Sequence, residues 1–420
     1  MQASVKIGQR EERFEVPDNE LIEVMHAREL TSSVSEQEAV TSALAHPIGT
    51  PRLDQLVHPS DQVMIITSDC TRPLPTPILL GPVLDELHAA GVADSHITFA
   101  VALGSHRPQT EEELKTIFGP YYGHYSIVNG GDEFISFGHT KHGTPIDILT
   151  PIAESTFRIA LGNVEYHYFA GYSGGAKAIM PGVSTSAAIE KNHSLMLDDA
   201  AHAGNMESPV RLDVEEACRA VGLNFIVNAV LDEDHHVVFA AAGEVVKAHR
   251  VACKKLDELF GCPLSEQADI VVDSQGGAPK DLNLYQLQKA LENAKYPVRN
   301  GGIIILVGSC QDGLGNPTFE QWMHEAKAPQ DVIDRLNKKF VLGGHKAAAI
   351  ARVEQKASVY LVSDLPDEAA LDCFMTPYHS LQKALDAARG AVKSATHRTP
   401  RILVMPAGGS TLPLMQLNAQ

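Results

Sequence analysis

The stretch HYFAGYSGGAKAIMPG, residues 167–182, sets His167 and Lys177 ten positions apart among small, aromatic and glycine residues. The nearest acidic residue to Lys177 is Glu165, twelve positions upstream. A buried ammonium without a partner is costly unless it is neutralised or chemically altered. Lys177 is therefore a candidate reactive amine, set against the plainer reading of a solvated loop lysine. GYSGGAK also has the look of a phosphate loop, but Ala178 stands where such a loop needs Ser or Thr after the lysine.

Three apolar runs must position the other reactive groups. DQVMIITSD (61–69) reads as a strand that stops at a Cys-Thr-Arg-Pro turn, SHITFAVALGSH (95–106) as a second, and TFRIALGNVEYH (156–167) as a third that closes on a histidine. Each delivers polar residues at its carboxyl end, the edge where open α/β sheets bind ligands. That edge would gather Arg72, His106 and His167.

The opening SVKIGQREERFEVP alternates as a hairpin, LLGPVLDELHAAG reads as a helix stopped by Gly91, SAAIEKNHSLML (186–197) as a helix carrying His193, and residues 223–243 as a hairpin turning at Asp232 to His235. Beyond GCPLSEQ (261–267), ADIVVDSQGG, LQKALENAKY, GGIIILVGSC, KASVYLVSD and LQKALDAARG form a second βα series. The expected fold is α/β, two α/β domains with an interdomain active-site cleft. The first domain spans 1–265, with 405–420 returning to it, and the second spans 266–404.

Composition narrows the function. The chain has 420 residues, 44% hydrophobic and 20% charged, with a formal charge of −18. Such an acidic balance disfavours nucleic acid or an anionic membrane and favours a small-molecule substrate. The N-terminus lacks an apolar signal region and no apolar run approaches the ~20 residues that span a bilayer, so a cytoplasmic protein is expected. The six cysteines contain no C-x-x-C pair, which argues for core residues over a disulfide framework or zinc site. His139, His142, His235, His236 and His345 read as surface residues or additional polar groups of a pocket.

DCTRP (69–73), GSHRP (104–108), His167 and Lys177 around GYSGGAK, His193 sixteen residues later and GGAPKD (276–281) together resemble the lactate racemase family, in this order and across essentially the whole chain. The resemblance implies a racemase or epimerase inverting C2 of a 2-hydroxy acid. Its cofactor is nickel in a nickel-pincer nucleotide, a pyridinium-3,5-bisthiocarboxylic acid mononucleotide. Carried onto this sequence, Lys177 is the attachment point and His193 the nickel ligand, sulfur and imidazole donors being suited to nickel. Gly171, Gly174 and Gly175 would let backbone N–H groups approach the cofactor phosphate, and Asp69 and Thr71 would lie beside the cofactor, with Asp69 orienting Arg72 or touching the ribose.

The same resemblance makes His106 and His167 a general acid/base pair on opposite faces of the substrate, suited to the task by an imidazole pKa near about 6.5. Hydride leaves C2 for the cofactor while a histidine takes the hydroxyl proton, and the flat 2-keto intermediate accepts the hydride back on either face. Arg72 and Lys280 would hold the carboxylate, one by a fork and one as a point charge, with Gln275 and Gln286 as possible neighbours. Tyr166, Tyr168, Tyr172 and Ser173 leave a polyhydroxy acid open as substrate. The implied partners are the small acid and the cofactor-synthesis enzymes that mature the protein. Two alternatives stay open: a pyridoxal phosphate racemase using Lys177 as Schiff base, and a carrier of nickel or nucleotide that performs no turnover.

Overall fold

The computed structural model describes residues 1–26, 34–232, 235–409 and 411–415. The chain forms two compact units, Glu29–Leu259 and Met1–Arg28 with Phe260–Gln420.

The unit of residues 29–259 is built on a six-stranded sheet. From one edge to the other its strands are Val237–Gly243, Phe225–Leu231, Phe157–Asn163, Val63–Ser68, Ile97–Ala102 and Ser126–Val128. All neighbours are parallel except the first pair, which is the expected hairpin. Parallel strands are covered on both faces and so read as continuous apolar runs. In Val63–Ser68 alternate residues go to opposite cores: Val63 and Ile65 pack with Leu79, Leu80, Val83 and Phe99, while Met64 and Ile66 pack with Ile179, Val214 and Ala217. The chain leaves Val63–Ser68 toward Ile97–Ala102 on one side, and Phe157–Asn163 lies on the other. This reversal is a topological switch point, and the segments after Ser68, Ala102 and Asn163 emerge at the same carboxyl edge.

The second unit holds a six-stranded, all-parallel sheet in the order Thr376–Tyr378, Ser358–Val362, Val298–Val307, Ala268–Ser274, Ile402–Met405, Leu21–Val24. Its membership differs from the expected domains at both chain ends. Residues 1–28 belong here because the hairpin Gln2–Ile7/Arg10–Glu15 turns Ala3, Val5, Ile7 and Phe14 onto Ile270, Val272 and Ile303, and Leu21–Val24 pairs with Ile402–Met405. The segment expected to return to the first domain stays in this unit, since Leu412–Met415 pairs in parallel with Gly261–Leu264. Helices Pro317–Glu325, Pro329–Lys338 and Gly344–Glu354 form a cluster between two strands that the sequence pattern leaves unassigned. His345 lies inside it, 5% exposed, and is not a surface residue.

A buried carboxylate joins three segments of the first unit. Asp213, fully buried on helix Pro209–Val221, accepts hydrogen bonds from Thr140 Oγ1 (2.5 Å), Thr144 Oγ1 (2.7 Å) and Asn192 Nδ2 (2.9 Å). Removing it strands buried donors, each costing about 1–3 kcal/mol. Asp213→Ala is expected to lower stability by about 2–4 kcal/mol, read as a fall in the urea midpoint. A loss under about 0.5 kcal/mol, the scale of an ordinary surface substitution, would show that the network is not structural.

Candidate active site

The turn after Val63–Ser68 begins with Asp69, 4% exposed, whose carbonyl accepts from Arg72 N at 3.1 Å. Its Oδ1 accepts from Thr71 N (3.2 Å) and Thr71 Oγ1 (2.7 Å), and its Oδ2 lies 2.5 Å from His106 Nδ1. His106 comes from the neighbouring strand, and its N–H donates to Leu103 O at 2.9 Å. Burial works to raise the Asp69 pKa. The hydrogen bonds from His106 and Thr71 and the charges of His106 and Arg72 outweigh it, leaving the carboxyl below its usual range. A charged carboxylate fixes the proton of His106 on Nδ1, so Nε2 carries the free lone pair.

Asp69 thus orients His106, where the sequence pattern alone suggests Arg72 or a ribose. Sequence reasoning missed the pair because 37 residues separate its members; the available signal was an aspartate and a histidine at the ends of adjacent parallel strands. The hydroxyl of Thr71 is spent on the same carboxylate. The Arg72 side chain, exposed, makes no hydrogen bond or ion pair with the described residues.

The third segment departs from expectation. The central strand stops at Asn163, and His167 lies beyond it in a short hairpin, Tyr166–His167 against Gly171–Tyr172. Two glycines allow the chain to fold back. At Gly171 (φ +74°) a Cβ would lie 2.0 Å from Asn205 O, and at Gly174 (φ +72°) it would crowd Asn163 O and Asn228 Oδ1 at 3.0 and 3.1 Å. The Gly175 N–H is not available to a phosphate, because it donates to Asn228 Oδ1 at 2.9 Å.

The polar side chains suggested for a polyhydroxy substrate are largely committed to other groups of the protein. Tyr166 and Tyr172 hydroxyls donate to Asp257, at 2.9 Å and 2.8 Å, and Ser173 Oγ donates to Asn163 O at 2.8 Å. Tyr168 stacks on the His167 ring, with centroids 5.4 Å apart.

Phe169 links two of the candidate residues. His167 packs edge-on to it at 4.5 Å and His193 at 4.9 Å. His193 lies on helix Ser186–Ser194, capped by Thr185 and tied to its neighbour through Asn192 and Asp213. The half-buried His167 accepts the Ala170 N–H at Nδ1, 3.2 Å, which puts the proton of the neutral ring on Nε2. Loss of water and then the charges of Lys177, Arg72, His193 and Arg211 hold its pKa well below the usual imidazole value.

Lys177 is half-buried, and its ammonium has no hydrogen bond or ion pair with the described residues. Burial, then the charges of Arg211 and Arg72, depress its pKa far below that of an ordinary lysine, against a small opposing effect of Glu165. Around His167 the site therefore assembles Lys177, Arg72 and His193, while Asp69 feels both His106 and Arg72.

Lys280 belongs to the other unit. It is exposed in the turn after Ala268–Ser274, with Gln275 buried behind it and Gln286 half-buried in the first turn of helix Leu284–Ala294. Among the described residues no three His, Cys, Asp or Glu side chains converge as a metal site.

Comparison with known proteins accounts for the order of these motifs. The family model for the lactate racemase N-terminal domain matches residues 7–204, and that for the lactate racemase C-terminal domain matches 264–412. Lactate racemase of Thermoanaerobacterium thermosaccharolyticum is 32% identical over 97% of this chain and 98% of its own, and that of Lactiplantibacillus plantarum is 32% identical over 92% of both. The structure of the Thermoanaerobacterium lactate racemase apoprotein superposes with a TM-score of 0.89, covering 99% of this chain and all of the other. A Thermotoga maritima protein, 17% identical at a TM-score of 0.65, shares the fold. The chain belongs to the lactate racemase family, and with it to the isomerases.

Proposed function

We propose that this protein racemises a 2-hydroxy acid, lactate being the substrate its relatives' name supplies, by reversible removal of hydride from C2. The observation that carries this reading is the unpartnered amine of Lys177 in one neighbourhood with Arg72, His167 and His193.

The nickel-pincer nucleotide is tested by what these residues offer. An attachment lysine must present a neutral amine, and Lys177 has both the burial and the cationic neighbours to do so. A group that brings its own carbon and sulfur donors needs a single imidazole, and His193 supplies one beside Phe169. The residues fit, with Lys177 as tether and His193 as the protein ligand to nickel. When bound, the group supplies an acceptor for the C2 hydride.

The remaining work belongs to this chain. The exposed guanidinium of Arg72 is suited to clasp the substrate carboxylate through two N–H bonds. His106 Nε2 takes the hydroxyl proton, and the resulting imidazolium is stabilised by Asp69 at Nδ1, the role a buried aspartate plays in other acid/base dyads. The resting tautomer of His167 turns Nε2–H outward as a hydrogen-bond donor to the substrate oxygen, comparable to neutral histidines that polarise carbonyls. To act as base for the opposite enantiomer its proton must shift to Nδ1, giving up the long 3.2 Å bond from Ala170. The two imidazoles are therefore unequal at rest.

With lactate labelled by deuterium at C2, the opposite enantiomer is expected to retain the label, because hydride is stored and returned. Wash-out to solvent would show proton abstraction and contradict the reading. His106→Ala and His167→Ala are each expected to abolish racemisation; a near-normal rate in either would remove that residue from the pair. Asp69→Asn, which favours the wrong His106 tautomer, is expected to lower turnover by roughly 10²- to 10⁴-fold, the contribution typical of a positioned acid/base group, with substrate binding little changed. A loss under about threefold, below 1 kcal/mol of barrier, would show that Asp69 does not serve His106.

A further inference from the structure

Arg211 is 1% exposed, the largest side chain in the fully buried core. It lies in the first turn of helix Pro209–Val221, where the helix dipole opposes a cation. Among the described residues no carboxylate makes an ion pair with it. Its Nη1 donates to Gly174 O at 3.1 Å, its Nη2 to Tyr172 O and, at 3.5 Å, to Ser173 O, while its Nε is buried without a partner. Glu215, which acts on Arg211 electrostatically, is paired instead with Arg250, with Nη1 and Oε1 2.8 Å apart. A buried guanidinium usually finds a carboxylate. This one is fastened to three successive carbonyls, and the last of them, Gly174 O, also accepts the backbone N–H of Lys177 at 3.3 Å.

We propose that Arg211 is a positioning residue for Lys177: its fork fixes the loop of residues 172–174 that carries the lysine, and its charge, held by carbonyls and in no ion pair among the described residues, prepares that amine for attachment before any cofactor is bound. The inference rests on the reading of Lys177 as an attachment point and assigns the source of its reactivity. The direction of the Lys177 shift agrees, with Arg211 the largest electrostatic contributor. Arg72 acts in the same sense, Glu165 opposes it, and His167 and His249 are the other titratable groups coupled to the amine. Burial first, and then the neighbouring cations, favour the neutral form of both histidines, so neither adds its own charge to that of Arg211.

The test uses the full-length protein made without the cofactor-synthesis enzymes. Acetic anhydride acetylates a neutral amine, forming the amide N–C bond and releasing acetate and a proton, and peptide mass analysis reports each lysine separately. Across a pH series, Lys177 is expected to reach half-maximal rate well below exposed lysines such as Lys141 and Lys191. Arg211→Met is expected to raise that midpoint by about one unit or more, slowing modification at neutral pH roughly tenfold. Arg211→Lys, which keeps the charge, is expected to restore most of it, an outcome that a purely structural role would not give.

An unchanged midpoint in folded Arg211→Met overturns the proposal. So does a wild-type midpoint within the range of the exposed lysines, a result that needs no variant to fold. Failure of the underlying reading is distinguishable: a reactive, Arg211-dependent Lys177 that never acquires an adduct during maturation defeats the attachment role and leaves the electrostatic inference standing.

Discussion

The site depends on how residues 163–177 leave the sheet. A parallel sheet sends every strand's carboxyl end to one edge, so the segment after each strand must either run away from that edge or fold back over it. Here the chain folds back, through a hairpin that closes only because Gly171 and Gly174 accept positive φ and close backbone approach. Three carbonyls of the returning loop face inward, and Arg211 satisfies them from below. Ser173 O also meets His249 Nε2 at 2.7 Å and Gly174 O also accepts the Lys177 N–H at 3.3 Å, so the guanidinium adds to bonds the loop already makes. It also lodges a positive charge beneath the loop, and that charge acts on His167 and Lys177.

The two histidines at this edge are built differently. His106 is exposed and holds its Nδ1 against a buried carboxylate. His167 is packed between Tyr168 and Phe169, leans on a backbone amide and faces cations, all of which favour a neutral ring. A symmetric reaction, interconverting mirror images, would thus be run by an asymmetric pair. On the mechanism proposed above, the two directions would start from different tautomers.

Much of the framework was legible in the sequence. Runs such as VMIIT and IALG are apolar at nearly every position, the mark of strands covered on both faces, and their polar terminators mark the functional edge. Contacts that depend on residues far apart were not legible. Asp69 and His106 meet because their strands are neighbours in register, which spacing along the chain does not encode. Arg211 stands in an amphipathic helix where arginine is ordinary, and nothing in PVRLDVEE marks it as buried. The first 28 residues misled for a related reason. A hairpin pattern announces one apolar face without saying which core will cover it, and the second unit's sheet does so. Tyr166, Tyr172 and Ser173 read as pocket polarity because residue type was visible and hydrogen-bond partners were not.

The chemical centre of this account is an amine kept neutral and unpaired so that a metal-bearing nucleotide can be joined to it. The most direct test is mass analysis of catalytically active protein produced together with the cofactor-synthesis enzymes, with digestion to locate any added mass. The account requires the addition on the peptide carrying Lys177. Full activity from protein in which Lys177 remains unmodified would contradict it.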